Sequence, residues 1–383
     1  MWRLGMRGLV GMGLAAATAG AQGAGTPRIP AVAQWSLSAA PTLTIGTEGD
    51  SSSEFTRIVG LLRTRDGAIH VNDFQSPLRI FGPDGKFRRS YARRGSGPGE
   101  AQFIFWFGES RDTLFLFDPG NARITRFRTD GTLIRTTPIP GALEQSTGME
   151  GRTADGAWIA FLVPSTTGFE RSTGVVRLPI SVAAFPPSLE GRPRILTTIP
   201  WDAMLHVPMG KGSTAAQPPF GASHVVAIGH NSVWIGDNAT DSIRSFDPAT
   251  GRVVATAHTP WPEVQVTRSM LNAERDRRLA RNISKEAKAI TAAVFAGDNA
   301  PKTLPRYGGA LVDADDHLWV SAYALPTDAS VSWRIHDAAG LPIASIALPR
   351  RFRLFQAGRD WVLGSFADDD NVETVQLYRL EKR

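Results

Sequence analysis

Residues able to do chemistry are scattered along this sequence rather than gathered in one motif. Its seven histidines are His70, His206, His224, His230, His258, His317 and His336. None forms the HxH or HExxH spacing that places two imidazoles on one metal. Glu54 and Glu100 occupy matching places, each shortly after a glycine-rich stretch (Gly46–Gly49 and Gly95–Gly99). Two such carboxylates are weak candidates for a divalent cation. They also suit a plainer role, accepting backbone N–H groups of the glycine-rich turn before them. Asp73, Asp118, Asn121 and Asp237 recur at another fixed place, and short Asx side chains favour turns there. No phosphate loop and no nucleophile elbow is present. No metal and no cofactor is therefore expected, with Ca2+ or another divalent cation entering only if Glu54 and Glu100 act as ligands.

The recurrence itself is more informative. Residues 66–85 read DGAIHVNDFQSPLRIFGPDG, and residues 112–131 read DTLFLFDPGNARITRFRTDG. HNSVWIGDNATDSIRSFDPATG at 230–251 repeats the pattern, and 315–340 follows it loosely. Each copy is an apolar strand, an Asx-rich break, an alternating strand and a turn of Asp-Gly type. An all-strand repeat of roughly 40–60 residues points to stacked or radially arranged sheets. Trp158, Trp234, Trp319 and Trp361 fall in second strands, where large rings fill the wedge between neighbouring sheets.

The copies predict a six-bladed β-propeller over residues 37–383. The first blade comprises Arg57–Arg63, Ala68–Val71, Leu78–Phe81 and Phe87–Ala92. The third is eroded, with Ala157–Val163, Gly174–Leu178 and Arg194–Ile199 as its strands. The last has three strands, Phe352–Gln356, Trp361–Phe366 and Glu373–Leu380. Leu37–Ile45 resembles an outer strand without a blade, so it is expected to pair with the last repeat and remove the open sheet edges.

The glycine-rich link Gly95-Ser-Gly97-Pro-Gly99-Glu100, with Asp118, Asn121-Ala-Arg123-Ile124, Phe127 and Asp130-Gly131, resembles the NHL repeat. The chain is thus similar to six-bladed propellers of the NHL-repeat/TolB-like type, including exported bacterial proteins. The resemblance implies architecture and little chemistry, because propellers host many activities. Gluconolactonase-type propellers hold a divalent cation on the axis, so a cation-dependent hydrolase or lactonase stands as the alternative to a binding module.

Two segments lie outside the repeat. Residues 1–21, with Arg3, Arg7, an apolar run and Ala19-Gly20-Ala21, have the pattern of a secretory signal peptide. Residues 22–36 follow as a linker. A periplasmic or secreted protein is expected, and no stretch is long enough for a transmembrane helix. The second segment, 263–305, is a helical insertion between the fourth and fifth blades. Leu279, Ile283, Ile290 and Val294 share one helix face, Thr267 or Ser269 suits the cap, and a break falls near Asn282–Ser284. Such a helix is either a lid on the disc or a surface for a partner or membrane.

The sequence has no cysteine and a net charge of +6, which becomes +4 without Arg3 and Arg7. No basic, aromatic-interleaved cluster suggests nucleic acid. A monomer is expected. What differs between copies is the set of residues opening each inner strand: Arg57, Gln102, Phe103, His224, Arg306, Tyr307 and Arg351. Placed around one mouth of a channel, they would suit an anionic or polar ligand. The expected function is an exported module binding a peptide, carbohydrate or protein partner.

Overall fold

The computed structural model describes residues 32–46, 49–74, 76–139, 146–162, 174–209, 212–280 and 284–382. The expected signal peptide, and residues 22–31 of the expected linker, lie outside them.

Strands dominate, and most sheets are four-stranded antiparallel meanders. The first sheet contains β3 (Ile58–Arg63), β4 (Ile69–Asp73), β5 (Leu78–Phe81) and β6 (Phe87–Tyr91). The second contains β7 (Trp106–Ser110), β8 (Thr113–Asp118), β9 (Arg123–Arg128) and β10 (Leu133–Pro138). The third is built from β11 (Ser146–Arg152), β12 (Trp158–Leu162), β14 (Pro179–Phe185) and β15 (Arg194–Pro200). The fourth holds β18 (His224–Ile228), β19 (Val233–Asp237), β20 (Ser242–Phe246) and β21 (Val253–His258). Then follow β22 (Ala310–Val312), β23 (Leu318–Ser321), β24 (Ser330–His336) and β25 (Pro342–Pro349). The last strands are β26 (Phe352–Ala357), β27 (Trp361–Ala367) and β28 (Glu373–Lys382).

The N-terminal strands join the final two groups. β2 (Leu43–Ile45) pairs with β28 through Leu43–Leu377 and Ile45–Val375, as expected for the missing outer strand. β1 (Ala33–Leu37) begins inside the segment expected to be linker. It pairs antiparallel with β28 and parallel with β25, so both groups belong to one nine-stranded sheet. The first strands of the successive sheets touch in the order β3, β7, β11, β18, β22, β26 and back to β3, which makes a closed propeller.

The core is a set of wedges between adjacent sheets. Trp158 with Phe115 and Phe185 fills one, Trp234 with Tyr307 and Leu318 another, and Trp319 with Trp35 and Ile335 a third. These three second-strand tryptophans are fully buried, whereas the fourth, Trp361, is only partly buried. Gly67, Gly85, Gly131 and Gly340, each the Gly of a tight turn, have φ of +86°, +76°, +80° and +83°, a region that favours glycine.

The third sheet differs from expectation. Its third strand is β14, with five buried side chains among seven residues, and not Gly174–Leu178. Val175–Val176 (β13) instead pairs with β16 (Met204–Met209), which pairs with β17 (Gly212–Ala216). This extra three-stranded sheet supports the helical insertion, which forms two helices, α1 (Arg268–Ala280) and α2 (Lys285–Phe295). Thr267 Oγ1 caps α1 by accepting the Met270 N–H at 3.2 Å, and Ser284 caps α2 through Ala287. Val294 of α2 packs on Leu205 and Val207 of β16. Glu274 of α1 is buried, and Arg277 and Arg278 hold both of its oxygens at 2.7–2.8 Å. Leu279 is half exposed rather than packed, and Ile283 lies outside the described residues. No helix among the described residues is long and apolar enough to cross a membrane.

Candidate functional site

A carboxylate at the end of a second strand clamps the entrance of its own sheet's inner strand. Asp73 Oδ1 accepts the N–H groups of Thr56 and Arg57 at 3.1 and 2.7 Å. Its Oδ2 accepts from Arg79 at 2.7 Å. Asp118 does the same for Gln102 and Phe103, both at 3.0 Å, and Asn121 Nδ2 donates to it at 2.7 Å. The recurring Asp residues therefore hold backbone in place. With their N–H groups satisfied, Arg57, Gln102 and Phe103 present their side chains at a fixed position.

Those three line one cavity of about 490 Å³ between the first and second sheets, with Asn72, Phe74, Arg94, Phe105, Trp106 and Phe355. The Arg57 guanidinium carbon sits 4.1 Å from the centre of the Phe74 ring. That arrangement retains a cation on an aromatic face with its donors still free to turn outward. Phe103 and Phe105 meet edge to face at 6.2 Å. Phe74, Phe103 and Phe105 are 37%, 49% and 44% exposed, so three large rings stay accessible at one rim. Gly60 shapes the floor, because a Cβ there would lie 2.5 Å from the Phe107 ring. An apolar lining with a few polar groups is the composition of a ligand site.

The fourth sheet opens differently. Asn238 Oδ1 accepts the Ser223 N–H at 2.7 Å, while the His224 N–H goes to Asp202 at 3.1 Å. Asp202 comes from the loop before β16, outside the repeat. Its Oδ1 also lies 2.8 Å from His224 Nδ1. The His224 ring stands edge-on to Phe161 at 4.6 Å, with Trp201 at 6.4 Å. Burial acts to raise the Asp202 pKa, but the bonds and charge of His224 outweigh it and hold the carboxyl below its usual range.

Glu150, on inner strand β11, completes this second group. A Cβ on Gly148 would lie 3.0 Å from the Phe105 ring and 3.6 Å from Glu150 Oε1. Phe105, which lines the aromatic cavity, and the Glu150 carboxyl thus both lie close to Gly148. Burial raises the Glu150 pKa, with Asp202 adding to the rise and His224 opposing it. Desolvation of this carboxyl holds it toward its neutral form.

The other expected mouth residues do not join this surface. Tyr307 is fully buried in the wedge against Gly236, and burial pushes its phenol pKa up. It follows Arg306, whose backbone N–H is tied to the Asn238 carbonyl at 2.7 Å, so its ring turns into the core. The Arg306 side chain donates to the Trp261 carbonyl at 3.1 Å and lies 3.5 Å from Glu263. It anchors the start of the insertion. Arg351 is half exposed and pairs with Asp369.

Glu54 Oε1 accepts the Gly49 N–H at 2.9 Å. Glu100 accepts the Gly97 N–H and the Arg93 side chain, both at 2.7 Å. Both brace their glycine-rich turns. Among the described residues, no three His, Asp or Glu side chains stand close enough to hold a metal ion.

Sequence reasoning missed Glu150, Asp202, Phe74 and Phe105. Phe103–Phe107 is an aromatic run the repeat does not require, and Glu150 is a carboxylate inside an inner strand, two residues before Arg152. Both were readable signals. Asp202 carried none, because only the fold brings its loop beside His224.

No family model and no curated protein matches this sequence. Solved structures do match. A DUF4221 family member from Bacteroides vulgatus aligns over 92% of this chain and 100% of its own, with 11% identity and a TM-score of 0.52. A Bacteroides fragilis protein named for its expected export aligns over 91% and 95%, with 11% identity and a TM-score of 0.50. At such identity the likeness shows the fold alone.

Proposed function

We propose that the chain is an exported, six-bladed propeller whose cavity between the first two blades binds a ligand with an apolar body and an anionic group. Six is the number of inner strands in the closed ring, with the nine-stranded sheet counted as two blades bridged by β1. Export is supported by the pattern of residues 1–21 and by the name of the Bacteroides fragilis neighbour.

The observation that carries the binding reading is Arg57 held over Phe74 beside exposed Phe103 and Phe105. Aromatic rings and arginine are the side chains that dominate binding energy where they cluster. A carboxylate is the anionic group that a guanidinium recognises through two parallel hydrogen bonds. The reading asks for no bound cation, since Glu54 and Glu100 are engaged by their own turns.

The test is titration of Trp106 fluorescence with apolar di- and tripeptides, as free acids and as C-terminal amides. The free acid should bind at least tenfold tighter, and Arg57→Ala should erase that preference. Equal binding of acid and amide, or no binding of either, overturns the reading.

A further inference from the structure

Arginines far apart in the sequence meet at the opposite end of the inner strands. Gln102 and Phe103 precede β7, whereas Arg111 follows it and Arg152 is the last residue of β11. Here the wedge between the second and third sheets ends in two guanidinium groups on one ring. The Arg126 guanidinium carbon lies 5.4 Å from the centre of Phe115, and that of Arg152 lies 4.5 Å from it. Arg152 is also 5.1 Å from the Trp158 ring, which meets Phe115 edge-on at 5.3 Å. We propose that Arg126 and Arg152, flanked by Arg135 and Arg111, form a second binding site that takes a phosphate group. None of these four residues lines the cavity around Arg57.

Three observations support it. First, the strand register sets cation against cation. Arg126 on β9 is directly opposite Phe115 on β8 and directly opposite Arg135 on β10, so all three share one face of the second sheet. Like charges placed this way weaken a sheet. The repeat does not require them. The matching pair is Ile80 with Arg89 in the first sheet, Ser245 with Ala255 in the fourth and Ile335 with Ala344 in the fifth. Second, the donors are held but not exhausted. Arg152 Nε donates to the Gly156 carbonyl at 3.1 Å, which fixes its guanidinium over that turn. Arg126 Nε is buried with no hydrogen-bond partner among the described residues. Third, the neighbouring charge is mostly of one sign. Burial lowers the pKa of both arginines. Arg126 and Arg111 add to the fall at Arg152, Arg135 adds to it at Arg126, and Asp155 opposes it at Arg152. Asp155 also braces its own turn, accepting from the Thr153 hydroxyl and the Ala157 N–H.

Arginine keeps its proton, so an anion rather than deprotonation relieves this repulsion. Each guanidinium fork matches two oxygens. A carboxylate has only two oxygens to offer, whereas a phosphate group has enough for two forks and carries the larger charge.

The test is calorimetric titration at fixed ionic strength with inorganic phosphate, glycerol phosphate and acetate. Phosphate should bind the wild-type protein about tenfold or more tightly than acetate. Arg126→Ala and Arg152→Ala should each weaken phosphate binding by about tenfold or more, and exposed Arg135→Gln by about threefold. Arg57→Ala should leave it unchanged. Thermal unfolding shows which variants are folded, and Arg135→Gln, altered only at the surface, keeps the test decisive if the deeper changes unfold the chain. Binding of glycerol phosphate as well as phosphate supports a site for phosphate esters, and binding of phosphate alone supports a site for the free ion. Absence of phosphate binding, or folded arginine variants that bind it as tightly as wild type, overturns the proposal. So does a loss of phosphate binding in Arg57→Ala with none in Arg126→Ala.

Discussion

The entrances of the second and fourth sheets solve one problem in two ways. At the second, a single repeat-borne carboxylate, Asp118, clamps two successive N–H groups, Gln102 and Phe103. At the fourth the work is divided. Asn238 takes Ser223, and Asp202, from a non-repeat loop, takes His224 by backbone and by ring. Asp237 is thereby released to hold Arg177 with both oxygens at 2.9 Å, tying the end of β19 to the loop between β13 and β14. Where the copies agree, the side chain serves the fold. Where they diverge, the side chain is released from that duty: Arg57 and Phe103 line the cavity, Arg306 anchors the insertion, and His224 pairs with Asp202.

The largest effect should come from breaking the repeat-built entrance. Asp118 is fully buried and accepts from three backbone N–H groups. Asp118→Ala leaves those donors stranded and should lower stability by about 3 kcal/mol or more in urea unfolding. Asn238→Ala, which strands fewer groups, should cost less.

The repeat-built region should also set the acid limit. His70, fully buried beside Tyr91 at 3.0 Å, has its pKa lowered by burial to about 4. Between pH 6.5 and 4 the unfolded chain binds the proton that the folded chain refuses. Stability therefore falls as pH drops through that window, by roughly 3 kcal/mol. Above it His70 contributes no slope. His70→Gln, which can still partner the Tyr91 hydroxyl, should flatten the acid limb of the unfolding midpoint.

The divergent mouth should respond in the opposite sense. Arg57→Ala should leave the melting temperature within about 2 °C, because its side chain stacks on a half-exposed ring, a contact of about 1 kcal/mol. Its loss should appear instead as a tenfold or greater fall in affinity, about 1.4 kcal/mol.

The smallest effect is expected at Glu150. Its raised pKa means that the folded chain holds a proton the unfolded chain has released above its ordinary value. Stability therefore declines as pH rises from that value through the folded one. Glu150→Gln should remove this decline and raise stability at neutral pH by less than about 1 kcal/mol. A loss of stability would show that the carboxylate has a structural partner.

The propeller was legible because its signals are local and repeated. Asp-Gly turns, second-strand tryptophans and alternating strands recur in copies that check one another, and the closure of β2 on β28 followed from a missing strand. The third sheet was misread because Gly174–Leu178 alternates like a strand while its true place is the extra sheet with β16. Arg57, Gln102 and Phe103 were found by register alone. Register failed at Tyr307, where a shift of one residue turns a side chain from the mouth to the core. Asp202 was out of reach, because a loop outside the repeat has no copy to align against.

The most direct test compares Asp118→Ala and Arg57→Ala in one experiment, with thermal unfolding and free-acid peptide titration on the same samples. The prediction is that Asp118→Ala loses stability, while Arg57→Ala keeps the wild-type melting temperature and loses at least tenfold in affinity. An Arg57→Ala protein that binds the peptide as tightly as wild type would contradict the account.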